Sequence, residues 1–219
     1  MWSKARRLMA AFLIAGSLLT GSVAYGDAYY SGTGNTDLIA SGLVMHKTYM
    51  NGSGFFVKGG YFVTAAHVSN GKEQAFLMLP ESLELMKAKL VDYNKVQDLA
   101  LYKVDGAENH WYLELAESSD ASSSFYTYGN GVAQDEFFSK HEGSRIGTNG
   151  MYNINYTFGT QAMILDRYSF PAYGGSSGSA VLNDKGKVVG VISAHMDGND
   201  NALVIPLQHL KNFLANNGL

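Results

Sequence analysis

From residue 38 onward the chain is a series of short apolar runs separated by glycine and polar turns. The runs are rich in β-branched and aromatic residues and cover residues 38–45, 55–57, 61–64, 89–93, 99–104, 125–128, 181–182, 187–194 and 202–205. Each run is too short for a typical globular helix, and Gly, Asn and Asp dominate the breaks between them. Residues 137–170 also contain many strand formers, with turns expected at residues 142–143 and 149–150. The pattern predicts an all-β barrel or sandwich.

Two segments have a helical character instead. Residues 82–88 are predicted to form a short helix. Pro206 stands where a second helix can begin, and Gly218 stands where it ends. Between these two positions one helical face carries Leu207, Leu210, Phe213 and Leu214. Residues 107–124 are polar and irregular, so we expect them to connect two halves of one domain.

The first 26 residues have the composition of a signal peptide. Three basic residues precede an apolar stretch, and small residues at positions 24 and 26 precede Asp27 as in a cleavage site. An uncleaved membrane anchor is the alternative, but glycine and hydroxyl residues shorten the apolar run below the ~20 residues of a span. We therefore expect a domain over residues 27–219 that is secreted or periplasmic and is not stably inserted in a membrane.

Charge and cysteine content narrow the possible functions. Removing residues 1–26, with three basic and no acidic side chains, takes the formal net charge from −3 to −6. An acidic chain is a poor ligand for nucleic acid, which requires clustered Lys and Arg. The sequence has no cysteine, so it has no disulfide, thiolate nucleophile or cysteine-based metal site.

The candidate chemistry centres on residues 173–180, a stretch of Gly and Ser that leads into an apolar run. A flexible loop is the simplest interpretation of such a stretch. However, Ser177 lies beside Gly178 on a turn next to a strand, as a nucleophilic serine does. The glycines would let the N–H groups of Gly175 and Ser177 point together toward a developing oxyanion.

A serine nucleophile requires a base and a carboxylate that orients the base. His67 closes one predicted strand, and Asp98 opens another. Each could separately be a core histidine or a turn residue. Together with Ser177 they stand in the chain order His, Asp, Ser, which is the order in chymotrypsin.

These motifs resemble the trypsin-like serine proteases of the chymotrypsin fold. The resemblance rests on the sequences around His67, Asp98 and Ser177 and on Gly52-Ser53-Gly54-Phe55. It is strongest to the bacterial HtrA/DegP proteases and the staphylococcal glutamyl endopeptidases. It implies two six-stranded antiparallel barrels, over residues 38–115 and 116–205, with a C-terminal helix over residues 206–217.

The resemblance also implies roles for individual residues. Ser177 would be the nucleophile, His67 the general base, and Asp98 the residue that orients the histidine, while the N–H groups of Gly175 and Ser177 would form the oxyanion hole. Residues Ser193, Ala194 and His195 match the segment that pairs with the substrate backbone. The implied function is an endopeptidase that forms an acyl-enzyme on a polypeptide substrate and requires no cofactor.

The sequence departs from relatives at several positions. Ser179 resembles the glutamyl endopeptidases rather than HtrA, and we expect no PDZ domain. Pro171 stands where trypsin has its pocket aspartate, which disfavours Lys or Arg at P1, and His195 could narrow the pocket. We expect a small or medium apolar P1 residue ahead of Glu. Ser176 replaces the aspartate that pairs with a new N-terminus in trypsin-like zymogens, so we expect local hydrogen bonds to hold the oxyanion turn.

Other interpretations remain open from the sequence. The acidic and amide residues at 197–201 could bind Ca²⁺, but they lack EF-hand spacing and are typical of a hairpin end, so no metal site is predicted. The alternatives to an endopeptidase are an inactive protease-like binding protein and an esterase that uses the same triad.

Overall fold

The computed structural model describes residues 40–46, 49–80, 85–119, 122–131, 136–196, 198–199 and 201–219. The predicted signal peptide lies outside these residues, as do Asp197 and Asp200 of the possible calcium loop. Within the described ranges, no helix has the length and apolarity needed to cross a membrane.

The first half is a closed antiparallel barrel of six strands in the order β1-β2-β3-β6-β5-β4. The strands are β1 (Ser41–His46), β2 (Tyr49–Val57), β3 (Tyr61–Ala65), β4 (Gln74–Met78), β5 (Leu85–Asn94) and β6 (Leu99–Val104). Side chains of alternate residues point inward and fill the barrel, among them Phe56, Phe62 and Tyr102. A one-turn helix, α1 (Ala66–Ser69), follows β3.

The helix predicted over residues 82–88 is wrong for residues 85–88, while residues 82–84 lie outside the described residues. Residues 85–88 begin β5, which pairs with both β4 and β6. Met86 and Ala88 are buried while Lys87 and Lys89 are exposed, which is the two-residue period of a strand. The four apolar residues of this short stretch fit the period of a helix as well as that of a strand. Pairing with β4 and β6 in the barrel makes residues 85–88 a strand.

The second half is one antiparallel sheet of seven strands in the order β8-β7-β11-β12-β13-β10-β9. The strands are β7 (Phe125–Gly131), β8 (Glu136–Gly143), β9 (Arg145–Tyr156), β10 (Gly159–Pro171), β11 (Ala180–Asn183), β12 (Val188–His195) and β13 (Asn201–Pro206). The sheet has one strand more than the expected barrel and, among the described residues, its edge strands do not pair to close it. The two longest strands of the sheet are β9 and β10, which have 12 and 13 residues.

The turn expected at Asn149-Gly150 is an irregularity inside β9 and not a chain reversal. Asn149 has a φ of 50°, and the pairing register with β10 shifts nearby. The chain reverses instead between Tyr156 and Gly159. Asn-Gly is a common hairpin turn, but it also suits a strand irregularity that needs a left-handed residue.

A shared apolar core joins the two halves and the C-terminal helix, α2 (Leu207–Asn216). Phe55 and Leu101 of the barrel belong to the same buried cluster as Val191 of the sheet. The four predicted residues of the α2 apolar face are all buried. The structure thus confirms the all-β architecture of two antiparallel sheets with a C-terminal helix.

Candidate active site

Asp98 is a fully buried carboxylate at the end of the turn that precedes β6. Its φ of 53° aims the side chain back toward α1. One carboxylate oxygen accepts the backbone N–H of His67 at 2.9 Å, and the other lies 2.9 Å from His67 Nδ1. Ser193 Oγ donates to the latter oxygen at 2.6 Å. These donors offset the cost of burying a charge, which for an unpaired carboxylate is several kcal/mol.

His67 lies in α1 and not at the end of β3 as predicted from the sequence. The Ala66 N–H donates to the Asp98 backbone carbonyl at 3.1 Å, so the start of α1 is tied to the Asp98 turn at two points. Hydrogen bonding of Nδ1 to Asp98 leaves Nε2 as the atom able to accept a proton. The side chain of His67 is 18% exposed, so the ring is sheltered but still reachable.

The Gly-Ser stretch is a compact turn and not a flexible loop. Ser176 N–H donates to the Tyr173 carbonyl, and Ser179 N–H donates to the Ser176 carbonyl. Gly178 has a φ of 91°, and a Cβ there would stand 2.0 Å from the Ser53 carbonyl oxygen. Only glycine fits this position, because both the dihedral and the space exclude a side chain.

The turn leaves Ser177 close to β12. Its Oγ donates to the Ser193 carbonyl at 3.2 Å, and no hydrogen bond to the His67 ring is present among the described residues. The N–H groups of Gly175 and Ser177 donate to no residue that the structure describes, whereas the N–H of Gly178 donates to Ile192. The two predicted oxyanion donors therefore make no competing bond within the described part of the chain.

A buried network that includes Ser53 of β2 and Asn130 of β7 supports the turn, and no motif in the sequence indicated it. Ser53 N–H donates to the Ser177 carbonyl at 2.8 Å, and Ser53 Oγ donates to the Gly175 carbonyl at 2.7 Å. Asn130 Nδ2 in turn donates to Ser53 Oγ at 2.6 Å. Both side chains are 1% exposed. These hydrogen bonds come from residues far away along the chain, so the turn is held by distant residues as well as by its own backbone hydrogen bonds.

The predicted substrate segment lies at the end of β12. Ala194 and His195 pair with β13 along one edge, while β11 pairs with β12 only as far as Val191. The other edge of residues 194–195 is thus open to a further strand among the described residues. Pro171 ends β10 opposite Asn201 of β13, and His195 of β12 lies opposite the next residue of β13. The sheet therefore places these two predicted pocket residues on the two strands that flank β13.

Tyr156 is a further residue at this site that no sequence motif indicated. Its ring stacks on the His67 ring with centroids 4.8 Å apart and an angle of 20°. Its hydroxyl forms a hydrogen bond with Ser193 Oγ. Burial, followed by the negative charge of Asp98, raises the pKa of Tyr156 well above its usual range, and the same two causes raise the pKa of Tyr93. Both phenols therefore remain neutral beside the carboxylate.

Comparison with known proteins identifies the family. The trypsin-like peptidase domain matches residues 52–191, more than half of the chain. The chain belongs to the trypsin-like peptidase family. A relative named "Probable periplasmic serine endoprotease DegP-like", from Pseudomonas fluorescens, is 31% identical over 145 residues. The match covers 65% of this chain and 29% of the relative, so the chain spans less than a third of that protein's length. The family confirms the predicted resemblance and the assignment as a serine protease domain.

Solved structures of other proteases share the fold. The active form of the Rv3671c protease from M. tuberculosis has a TM-score of 0.64 at 18% identity, covering 75% of this chain and 72% of that chain. The HtrA-type protease AlgW with a decapeptide has a TM-score of 0.67 at 18% identity, covering 81% and 64%. The serine endoprotease from Yersinia pestis has a TM-score of 0.66 at 19% identity, covering 82% and 62%.

Proposed function

We propose that the protein is an exported serine endopeptidase that hydrolyses polypeptides through Ser177, His67 and Asp98. The observation that carries this proposal is the pair of hydrogen bonds from His67, through its backbone N–H and Nδ1, to the buried Asp98. A buried carboxylate that orients an imidazole in this way is the support that a histidine base requires. Ser193 of β12 links Ser177 to this pair. Its carbonyl accepts a hydrogen bond from the Ser177 hydroxyl, and its own hydroxyl donates to Asp98.

The reaction follows from these positions. Ser177 Oγ attacks the scissile carbonyl, and its proton passes to His67 Nε2. Asp98 stabilises the resulting imidazolium, which then protonates the leaving amine. Water, activated by the same histidine, hydrolyses the acyl-enzyme. The N–H groups of Gly175 and Ser177 stabilise the oxyanion, at about 3–4 kcal/mol per donor.

Substrate binding would also bring Ser177 toward His67. In the structure, Ser177 Oγ donates to the Ser193 carbonyl. A substrate chain added as an antiparallel strand beside residues 193–195 offers its own backbone N–H groups to carbonyls of this edge. Once a substrate N–H takes the Ser193 carbonyl, the Ser177 hydroxyl is released to donate to His67 Nε2.

The specificity and location complete the proposal. Pro171 places no charge in the expected pocket region, which supports an apolar P1 residue. Export rests on the composition of residues 1–26 and on the periplasmic name of the Pseudomonas relative.

Hydrolysis of a proteome-derived peptide library tests the function. The purified protein is incubated with the library, new termini are identified by mass spectrometry, and Ser177→Ala serves as the matched control. We expect internal cleavage by the wild type only, with small or medium apolar residues at P1. Cleavage of activated esters without peptide cleavage would indicate an esterase, and neither activity would indicate a protease-like binding protein; either result overturns the proposal.

A further inference from the structure

The strands of the β9–β10 hairpin have 12 and 13 residues and are longer than the other strands of the sheet. The tip of the hairpin lies over the active site. We use "hairpin tip" for residues 156–158. Along β9, side chains at 152, 154 and 156 turn toward the shared core, while those at 151, 153 and 155 are exposed. The alternation of the strand therefore carries Tyr156 inward at the point where the hairpin reaches His67.

Two independent contacts join Tyr156 to the triad. Its ring covers one face of the His67 ring, as the stacking geometry shows. Its hydroxyl bonds to Ser193 Oγ, whose own proton is donated to Asp98 at 2.6 Å. Because Ser193 donates its one hydroxyl proton to Asp98, a hydrogen bond between the two hydroxyls requires Tyr156 as the donor. The Tyr156 hydroxyl also lies 3.0 Å from Met163 Sδ, which competes as an acceptor for the same proton but is a weaker one than a hydroxyl oxygen. The result is a directed chain of hydrogen bonds from Tyr156 through Ser193 to Asp98.

The neighbouring Phe158 connects the hairpin tip to the turn that carries Asp98. Its ring packs on the edge of Tyr93, with centroids 6.4 Å apart, and against Tyr156 at 5.2 Å. Lys95 Nζ lies 5.7 Å from the centroids of both Tyr93 and Phe158. Since Lys95 is three residues before Asp98, these contacts attach the second half of the protein to the loop that supplies the carboxylate.

We infer that Tyr156 is a positioning residue of the catalytic site: it holds the His67 ring against Asp98 from the second half of the protein. The inference rests on the proposed function. The ring restricts rotation of the imidazole and keeps water from one side of the His67–Asp98 pair. The hydroxyl strengthens the Ser193 bond to Asp98, and Phe158 fixes the hairpin tip in place.

The simpler interpretation is that Tyr156 only packs against the core, as Tyr152 does on the same face of the same strand. Within the described part of the chain, Tyr152 makes no ring contact or hydrogen bond with His67 or Asp98, so it is a matched control. We compare Tyr156→Phe, which keeps the ring and removes the hydroxyl, with Tyr156→Ala, Tyr152→Phe and Tyr152→Ala.

The first measurement is steady-state peptide hydrolysis. We expect Tyr156→Phe to lower kcat about three- to tenfold with KM unchanged, the effect of one hydrogen bond, and Tyr156→Ala to lower it further. The Tyr152 variants should keep the wild-type kcat. Wild-type kcat in both Tyr156 variants would overturn the inference, and so would a higher kcat in Tyr156→Ala, since the ring would then obstruct the site.

The second measurement does not depend on activity. A histidine N–H bonded to a buried carboxylate gives a far-downfield proton resonance, which reports the His67–Asp98 hydrogen bond in each variant. We expect this resonance to shift in Tyr156→Phe, to broaden or vanish in Tyr156→Ala, and to remain unchanged in both Tyr152 variants. An unchanged resonance in folded Tyr156→Phe and Tyr156→Ala would overturn the positioning role. If the wild type showed the resonance but cleaved no peptide, the proposed function would fail separately.

Discussion

Removing the Ser53 hydroxyl should impair catalysis although Ser53 does not touch the substrate. In Ser53→Ala the Gly175 carbonyl loses the donor at 2.7 Å, and the buried Asn130 amide loses its acceptor at 2.6 Å. Each buried group left without a partner costs about 1–3 kcal/mol. The Gly175 carbonyl can relieve part of this cost only by rotating the Gly175–Ser176 peptide, which lies between the two oxyanion donors. Such a movement shifts the backbone that carries the N–H groups of Gly175 and Ser177.

The expected loss of transition-state stabilisation is therefore a fraction of the cost of leaving these groups without partners. If about 1.4–2.7 kcal/mol of oxyanion stabilisation is lost, kcat/KM falls about 10- to 100-fold. Steady-state hydrolysis of a peptide substrate measures the loss, with thermal unfolding measured in parallel. Thr127→Val is the matched control, because Thr127 is a buried hydroxyl that donates to a backbone carbonyl, Ala180, at 2.7 Å. It should lower stability and keep kcat/KM. Wild-type kcat/KM in Ser53→Ala would refute the reasoning.

Three further predictions follow from the same geometry. Asp98→Asn should lower kcat by about 10⁴-fold with little change in KM, because the amide favours the wrong histidine tautomer. Steady-state kinetics measures this loss. Near-full activity would mean that another carboxylate, such as Asp92, orients His67. Gly178→Ala should sharply lower the melting temperature, because the new methyl group collides with Ser53, whereas Gly174→Ala has open space and should be tolerated. N-terminal sequencing of the exported protein should find a start at or near Asp27, and recovery of Met1 in a membrane fraction would indicate an uncleaved anchor instead.

Most of the fold could be predicted because strand length and turn composition are local properties. The strands from 99–104 and 187–194 and the apolar face of α2 were all visible as runs or periodicities in the sequence. The prediction failed where pairing across the sheet decides the outcome. Leu85–Ala88 joins a barrel strand, and Asn149 lies within β9 although its sequence favours a turn.

At the active site, too, the sequence indicated residues that lie in local motifs but not those brought in from distant parts of the chain. Sequence motifs indicated His67, Asp98 and Ser177, because glycine turns and strand ends mark them. The supporting residues lie far away along the chain: Ser53 contacts Gly175 across 122 residues, and Asn130 contacts Ser53 across 77. The Gly-Ser-Gly context of Ser53 and the glycines around Asn130 were weak signals. For Tyr156 only the length of the hairpin brings the side chain to His67, and no local pattern indicates it.

Mapping of a covalent label identifies the nucleophilic serine directly. The intact protein is treated with a fluorophosphonate probe, which reacts only with an activated serine, and the modified residue is located by peptide mass spectrometry. We expect one modified residue, Ser177, with labelling abolished in Ser177→Ala and retained in Ser176→Ala and Ser179→Ala. Labelling on Ser176, or a folded wild-type protein that does not react, would contradict the assignment of Ser177 as an activated nucleophile.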